Sequence, residues 1–385
     1  MFIKIPIRKQ VYIFTIYRIV FNTGLRMIFP YLPVIARGLE VDVKKISLVV
    51  SVSLVTSIIG AFIAPLVDRF GQKLGMNIGL IINIIGMGII FIYPTYAMFF
   101  IGLLLAYLGT NIFTPSLLAY IGDKVEFAKR GTSIALTEMS WSLSFIAFVP
   151  LAGVLIQRYE WSTPFFIICL LSILGLFMLQ LFVPGNSLRD QNTSFDFKNI
   201  GKAILHKPAL SVIIAGFAMI FGIGMLNLMF GVWLEDSFNI QITALGKASI
   251  VIGIAELTGA SLSAIFADKL GKKRSIMASI ILNILVVSIF PLFTSSYHLS
   301  LLWLFLFYIF AEYTIVSILA LSTEVIPWAR TTFIAIFTAA LTLGMGLGSY
   351  IAPYIYINGF NQLTLICGGL LIIALLALYR TEIKE

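Results

Sequence analysis

The sequence predicts an all-α integral membrane protein with twelve transmembrane helices in two pseudo-symmetric six-helix bundles. Three observations predict it. First, the 385 residues are 60% hydrophobic and only 11% charged, whereas a soluble domain carries about 25% charged residues. Second, apolar runs of about 20 residues, the length a helix needs to cross a bilayer, recur along the whole chain. Third, the punctuation repeats. Asp68-Arg69-Phe70-Gly71-Gln72-Lys73 is a charged island between apolar runs, and it returns 200 residues later (268 minus 68) as Asp268-Lys269-Leu270-Gly271-Lys272-Lys273-Arg274. Arg130 and Arg330 share that offset. A chain that repeats its punctuation in this way is a duplicated unit.

The spans follow in order. Helix 1 is expected over about 11–32, with Pro30 and Pro33 at its outer end, where free carbonyls meet water. Helix 2 covers about 46–67 and helix 3 about 74–93, joined by the first charged island. Helix 4 covers about 97–120, with a kink expected at Pro115, and helix 5 about 132–156. Helix 6 covers about 163–183, with Pro164 in its first turn, where a missing N–H costs nothing. Residues 184–207 are polar and read as a connector, so that 1–183 and 208–385 form the two bundles. The second bundle repeats the plan at about 209–233, 244–266, 275–293, 299–323, 332–355 and 362–379. Cys169 and Cys367 lie inside apolar runs and indicate no disulfide framework.

Charge sets the orientation. Of the 26 Lys and Arg residues, 19 fall on the side that holds both termini, 5 on the other side, and Arg18 and Arg26 within helix 1. The positive-inside rule places both termini and the connector in the cytoplasm, and the plasma membrane is the expected location. The net charge of +9 is thereby explained by membrane orientation, and no nucleic-acid partner is expected. Two bundles of like orientation, related by an axis along the membrane normal, form an architecture able to rock about a central site.

With both islands in view, the chain resembles a major facilitator superfamily transporter over nearly its whole length. The family signature between helices 2 and 3 reads Gly-x-x-x-Asp-Arg-x-Gly-Arg/Lys-Arg/Lys. Here Ala64 replaces the leading Gly and Gln72 the first basic position, and the second copy runs from Ala264 to Lys273. Helix 5 keeps only Pro150 and Gly153 of a pattern found in proton-coupled exporters, and helix 4 has no arginine, with Leu103 near where the family's buried Arg would fall and Tyr107 near its companion Gly. The resemblance implies a cytoplasmic latch in which an Asp caps a helix of the other half and basic partners hold a charge network. The matching positions are Asp68, Arg69, Gly71, Lys73 and Arg130, with Asp268, Lys269, Gly271, Lys272 and Arg330. The competing reading makes the basic residues anchors for anionic lipid headgroups.

Five ionisable residues fall within spans: Arg18, Arg26, Glu138, Glu256 and Glu312. A charge at mid-bilayer costs at least about 2.5–3.5 kcal/mol, so each must face a cavity, pair or neutralise. Arg18, Asn22 and Arg26 are spaced i, i+4, i+8 and form one polar stripe. Similar depth, with the closeness of helices 1 and 5 that the resemblance implies, makes Glu138 a partner for Arg18, as a static lock or as a gating contact. Arg26 is read either as a clamp for an anionic substrate group or as a residue snorkelling to the outer interface. Glu312 on helix 10 is a candidate for proton coupling, cation recognition or packing, with Glu256 on helix 8 a second coupling candidate. Asn227 on helix 7 is a polar ligand candidate. Asn83 and Asn283 are read as helix–helix hydrogen bonds.

The function expected is secondary transport by alternating access: proton-coupled export of small amphipathic compounds. The alternatives are uptake or exchange of a small anionic metabolite, and lipid translocation. No phosphate-binding loop, metal-ligand cluster or nucleophile–base pair stands out, so no enzyme, cofactor or metal is expected. The expected partners are a small-molecule substrate, protons and membrane lipids, with the protein acting as a monomer.

Overall fold

The fold is given by a computed structural model that describes residues 6–68, 71–183, 206–326 and 330–380. Within these, the side chains at 57, 59–68, 128, 330 and 331 lie outside the description. Every regular element among the described residues is helical. Among the described residues, nine helices are long and apolar enough to cross a membrane, and the bent pair at the start of the chain makes a tenth if it is one span. Contacts cluster into two units: Met1–Asn192 with Gln241–Ile250, and Thr193–Ile240 with Val251–Glu385.

The first unit opens with α1 (Ile7–Arg26) and α2 (Ile28–Gly38), which meet at a 50° bend. The sequence reading placed Pro30 and Pro33 at a helix end, but the helix resumes and carries both prolines inside α2. Pro30 explains the bend, because its ring has no N–H for the carbonyl of Arg26 four residues earlier and crowds it. Next come α3 (Val43–Asp68), α4 (Gln72–Ile92) and α5 (Tyr96–Lys124), the last running through Pro115.

The fifth span is not one regular helix. It comprises α6 (Phe127–Glu138), α7 (Ser140–Leu143), a π turn (Ser144–Phe148) and α8 (Val149–Arg158). Pro150 supplies the reason. It cannot bond the carbonyl of Ile146, so the winding widens just before it, and the Val149 N–H donates to Ser144 O, five residues back. The unit closes with α9 (Thr163–Phe182). Its core is an apolar column of Phe14, Tyr17, Phe21, Met76, Leu80, Phe113 and Leu117, drawn from α1, α4 and α5. Asn83 of α4 accepts from Ser172 Oγ of α9 at 3.2 Å, a helix–helix bond of the expected kind.

The second unit contains α10 (Lys207–Phe238), α11 (Ile242–Leu270) from Val251 onward, α12 (Lys272–Ser288), a 3-10 turn (Phe290–Phe293), α13 (Tyr297–Val325), α14 (Arg330–Tyr356) and α15 (Phe360–Tyr379). An aromatic cluster fills one end of it. Trp233 stacks on Phe360 at 4.4 Å, Phe290 meets Trp303 edge-on at 4.7 Å, and Trp303 stacks on Phe307 at 5.4 Å. Asn283, the counterpart of Asn83, is buried with no hydrogen bond to its Oδ1 among the described residues.

Candidate functional site

The polar stripe of helix 1 meets the irregular fifth span residue by residue. Arg18 Nη1 and Nη2 donate to Glu138 Oε1 and Oε2 at 2.7 and 3.2 Å, a bidentate fork. Asn22 Nδ2 donates to Ser140 Oγ at 3.1 Å, and Arg26 Nη1 donates to the Trp141 carbonyl at 2.7 Å. Further along, Tyr31 OH donates to the Val149 carbonyl at 2.9 Å. The two spans run parallel, and Arg18, Asn22, Arg26 and Tyr31 each find a partner on the fifth span.

The arrangement around Arg26 was not visible in the sequence. Its guanidinium lies 4.1 Å from the Trp141 ring centroid and 3.5 Å from that of Phe145. Cations over aromatic faces are stabilised by the ring quadrupole, more so when desolvated, and Arg26 is only 3% exposed. The Trp141 carbonyl also accepts from Ser144 Oγ at 2.6 Å. A backbone oxygen beside the π turn thus takes two side-chain donors. Neither the anion clamp nor the snorkelling reading had weighed this enclosed setting.

The ion pair is lopsided. The Arg18 side chain is 9% exposed and that of Glu138 is 52% exposed. Arg18 Nε is buried and has no acceptor among the described residues. Arg18 therefore lies behind Glu138, and the carboxylate forms the open edge of the seam.

In the second unit, Asn227 Oδ1 of α10 accepts a short hydrogen bond from Tyr308 OH of α13. Glu312 stands one helical turn after Tyr308 and is half-buried. Glu256 is the middle residue of α11 and is 4% exposed. Gly259, one turn after Glu256, lets α11 close on α13. A Cβ added there would lie 3.1 Å from Glu312 Cβ and 3.1 Å from the Tyr313 N. Ser263 and Ser317 continue the seam with hydroxyls 2.8 Å apart. Glu312 thus stands where α11 and α13 close at Gly259, a placement that the spacing in sequence did not reveal.

The repeated islands build the same joint in each unit. Gly71 and Gly271 hold φ of 103° and 83°, a region that glycine alone enters cheaply. Gln72 donates to Asp123 at the end of α5, and Lys272 donates to Glu324 at the end of α13. Lys272 also lies 3.6 Å from Asp268. Lys73 donates to the carbonyl of Val183 at 2.7 Å, and Lys273 to that of Tyr379 at 3.5 Å. Both carbonyls belong to helix C-termini, where a cation is favoured. Lys269 lies 6.0 Å from the Phe266 ring, while Arg130 donates to the Val125 carbonyl at 2.9 Å. The side chains of Asp68 and Arg330, and all of Arg69, lie outside the described residues. Beside Arg130, the Lys129 hydrogen bond and charge hold the exposed Glu126 carboxyl below the usual carboxylate range.

With this geometry in place, the comparisons with known proteins speak to the family. A family model described as Major Facilitator Superfamily matches residues 14–216 and 212–385. The chain is 27% identical to the uncharacterized MFS-type transporter YwfA of Bacillus subtilis (strain 168), over 90% of this chain and 85% of that one. It is 24% identical to multidrug resistance protein 1 of the same organism, over 64% of this chain and 63% of that one. Among solved structures, a D-xylose–proton symporter superposes with a TM-score of 0.77 at 18% identity, covering 97% of each chain. The chain belongs to the Major Facilitator Superfamily, and it is a multi-pass membrane protein built for secondary transport.

Proposed function

We propose that this chain exports small amphipathic compounds from the cytoplasm in exchange for protons, by alternating access, with both termini cytoplasmic in the plasma membrane. One observation carries the coupling half of the reading. Glu256 and Glu312 both sit at mid-span, and Glu312 stands where Gly259 lets α11 close on α13. A carboxyl group at that depth is costly as an anion, which suits it to carry a proton through the membrane. Glu312 is the coupling residue in this reading, and Glu256 is its support.

The export half is supported by the name of a relative, multidrug resistance protein 1, and the coupling ion by the solved D-xylose–proton symporter. The count of 19 Lys and Arg residues on one side supports the orientation. Uptake of an anionic metabolite drew on Arg18 and Arg26. Both guanidinium groups already serve protein acceptors, which weakens that alternative.

Reconstitution into liposomes with an imposed proton gradient tests the reading. Gradient-driven flux of an amphipathic solute is expected, and Glu312→Gln is expected to abolish it while leaving counterflow. Undiminished gradient-driven flux in Glu312→Gln would remove Glu312 from the coupling role.

A further inference from the structure

We infer that Glu138 and Trp141 form a recognition site within the first unit for an organic cation with an aromatic body. The inference rests on the export reading only for its transport consequence, since the site is argued from its own geometry.

The argument begins with exposure at depth. Glu138 lies nine residues into the span Lys129–Arg158, about 14 Å at 1.5 Å per residue. Half of its side chain is open. A carboxylate at that depth does not face hydrocarbon, where it would cost several kcal/mol. The open side of Glu138 therefore faces a water-filled space. Trp141 follows three residues later and is 39% exposed. Residues three apart on a helix are surface neighbours, so the ring borders the same space.

The rest of the seam makes this pair a built site. Arg26 lies over the Trp141 ring and bonds the carbonyl of the same residue, which fixes the ring in place. A cation already on the ring lowers its attraction for a second one. The ring therefore offers stacking surface for an aromatic body, and the free charge belongs at Glu138. Arg18 stands behind the carboxylate, with its buried Nε unmatched. It is the competitor that an incoming ammonium group must share with. The lopsided exposure of the pair shows from which side the ammonium group would approach: the carboxylate is open and the guanidinium is not.

The test uses the full chain purified in detergent, with no gradient, and three small probes: phenethylammonium, 2-phenylethanol and 3-phenylpropionate. Equilibrium binding is expected for the cation, weakly for the alcohol and not for the anion. Glu138→Gln and Trp141→Ala are each expected to weaken cation binding about tenfold, or about 1.4 kcal/mol. Trp141→Phe should retain most of it. Arg18→Gln should tighten it, because the carboxylate loses its resident partner. A purely structural ion pair predicts lower stability in these variants with no opposite shifts in affinity.

Should Glu138→Gln fail to fold, the wild-type chain still decides. Carbodiimide labelling of Glu138, read by peptide mass spectrometry, should be slowed by phenethylammonium and untouched by phenylpropionate. Absence of cation binding by folded wild-type protein, equal binding of the anion, or no protection of Glu138 overturns the inference. Binding without gradient-driven flux would leave the site standing and refute the export reading. Flux of the cation that ignores Glu138 and Trp141 would do the reverse.

Discussion

Arg26 shows what a residue type conveys in sequence and what it conceals. The spacing of Arg18, Asn22 and Arg26 announces a polar stripe, and depth together with the helix neighbours that the family resemblance implies pairs Arg18 with Glu138, which the structure joins by a bidentate contact. The partners of Arg26 were illegible because one of them is a backbone oxygen. Every residue carries such an oxygen, so no side-chain code marks the one that the π turn makes available. The two rings over the guanidinium give a prediction. Arg26→Lys keeps the charge but cannot lie flat between Trp141 and Phe145. It is expected to cost about 2 kcal/mol of stability, seen as a lower melting temperature in detergent. Wild-type melting of Arg26→Lys would deny that the rings hold the group. At the exposed end of the scale, the Glu126–Lys129 pair contributes in full above the ordinary glutamate range, and is lost as pH falls through the depressed value. It is open to solvent and screened by salt.

Helices were legible as elements, and their interruptions were not. Apolar runs located each span within a few residues, since length and hydropathy are properties of composition. The breaks at Met27 and Ser144–Phe148 arise from proline chemistry acting four residues upstream, at Arg26 and Ile146. A proline in sequence announces a fault but not whether the helix stops or resumes. Pro30 and Pro33 therefore read as a terminus where the structure has a bend. Pro150→Ala restores the missing N–H donor and is expected to tighten the π turn to an α turn. α8 would then rotate relative to the residues that Arg18 and Arg26 hold, and the Tyr31–Val149 bond would be lost. The expected result is slower hydrogen exchange at 146–150, with transport rate reduced and stability unimpaired. Unchanged transport beside slowed exchange would mean that the π turn is not used.

The duplication was the most legible feature of the whole molecule, because an offset of 200 residues needs no structure to be seen. The joints made by the repeated islands were harder to foresee. Two of their acceptors, the Val183 and Tyr379 carbonyls, are helix ends defined by geometry, not by residue type. The described contacts of Lys73 and Lys272 run within their own six-helix units. Lys272→Gln would give the second island the chemistry of the first. It is expected to leave the fold intact and to speed hydrogen exchange at the start of α12, and unaltered exchange there would mean that the lysine bond holds nothing. The copies differ in charge at that position. Gln72 brings no charge to Asp123, while Lys272 sets a full cation against Glu324. Small ions compete with the second arrangement far more than with the first. A brackish medium would therefore slacken one rim of the protein and spare its twin, so that the two repeats answer differently to the saltiness of the cell.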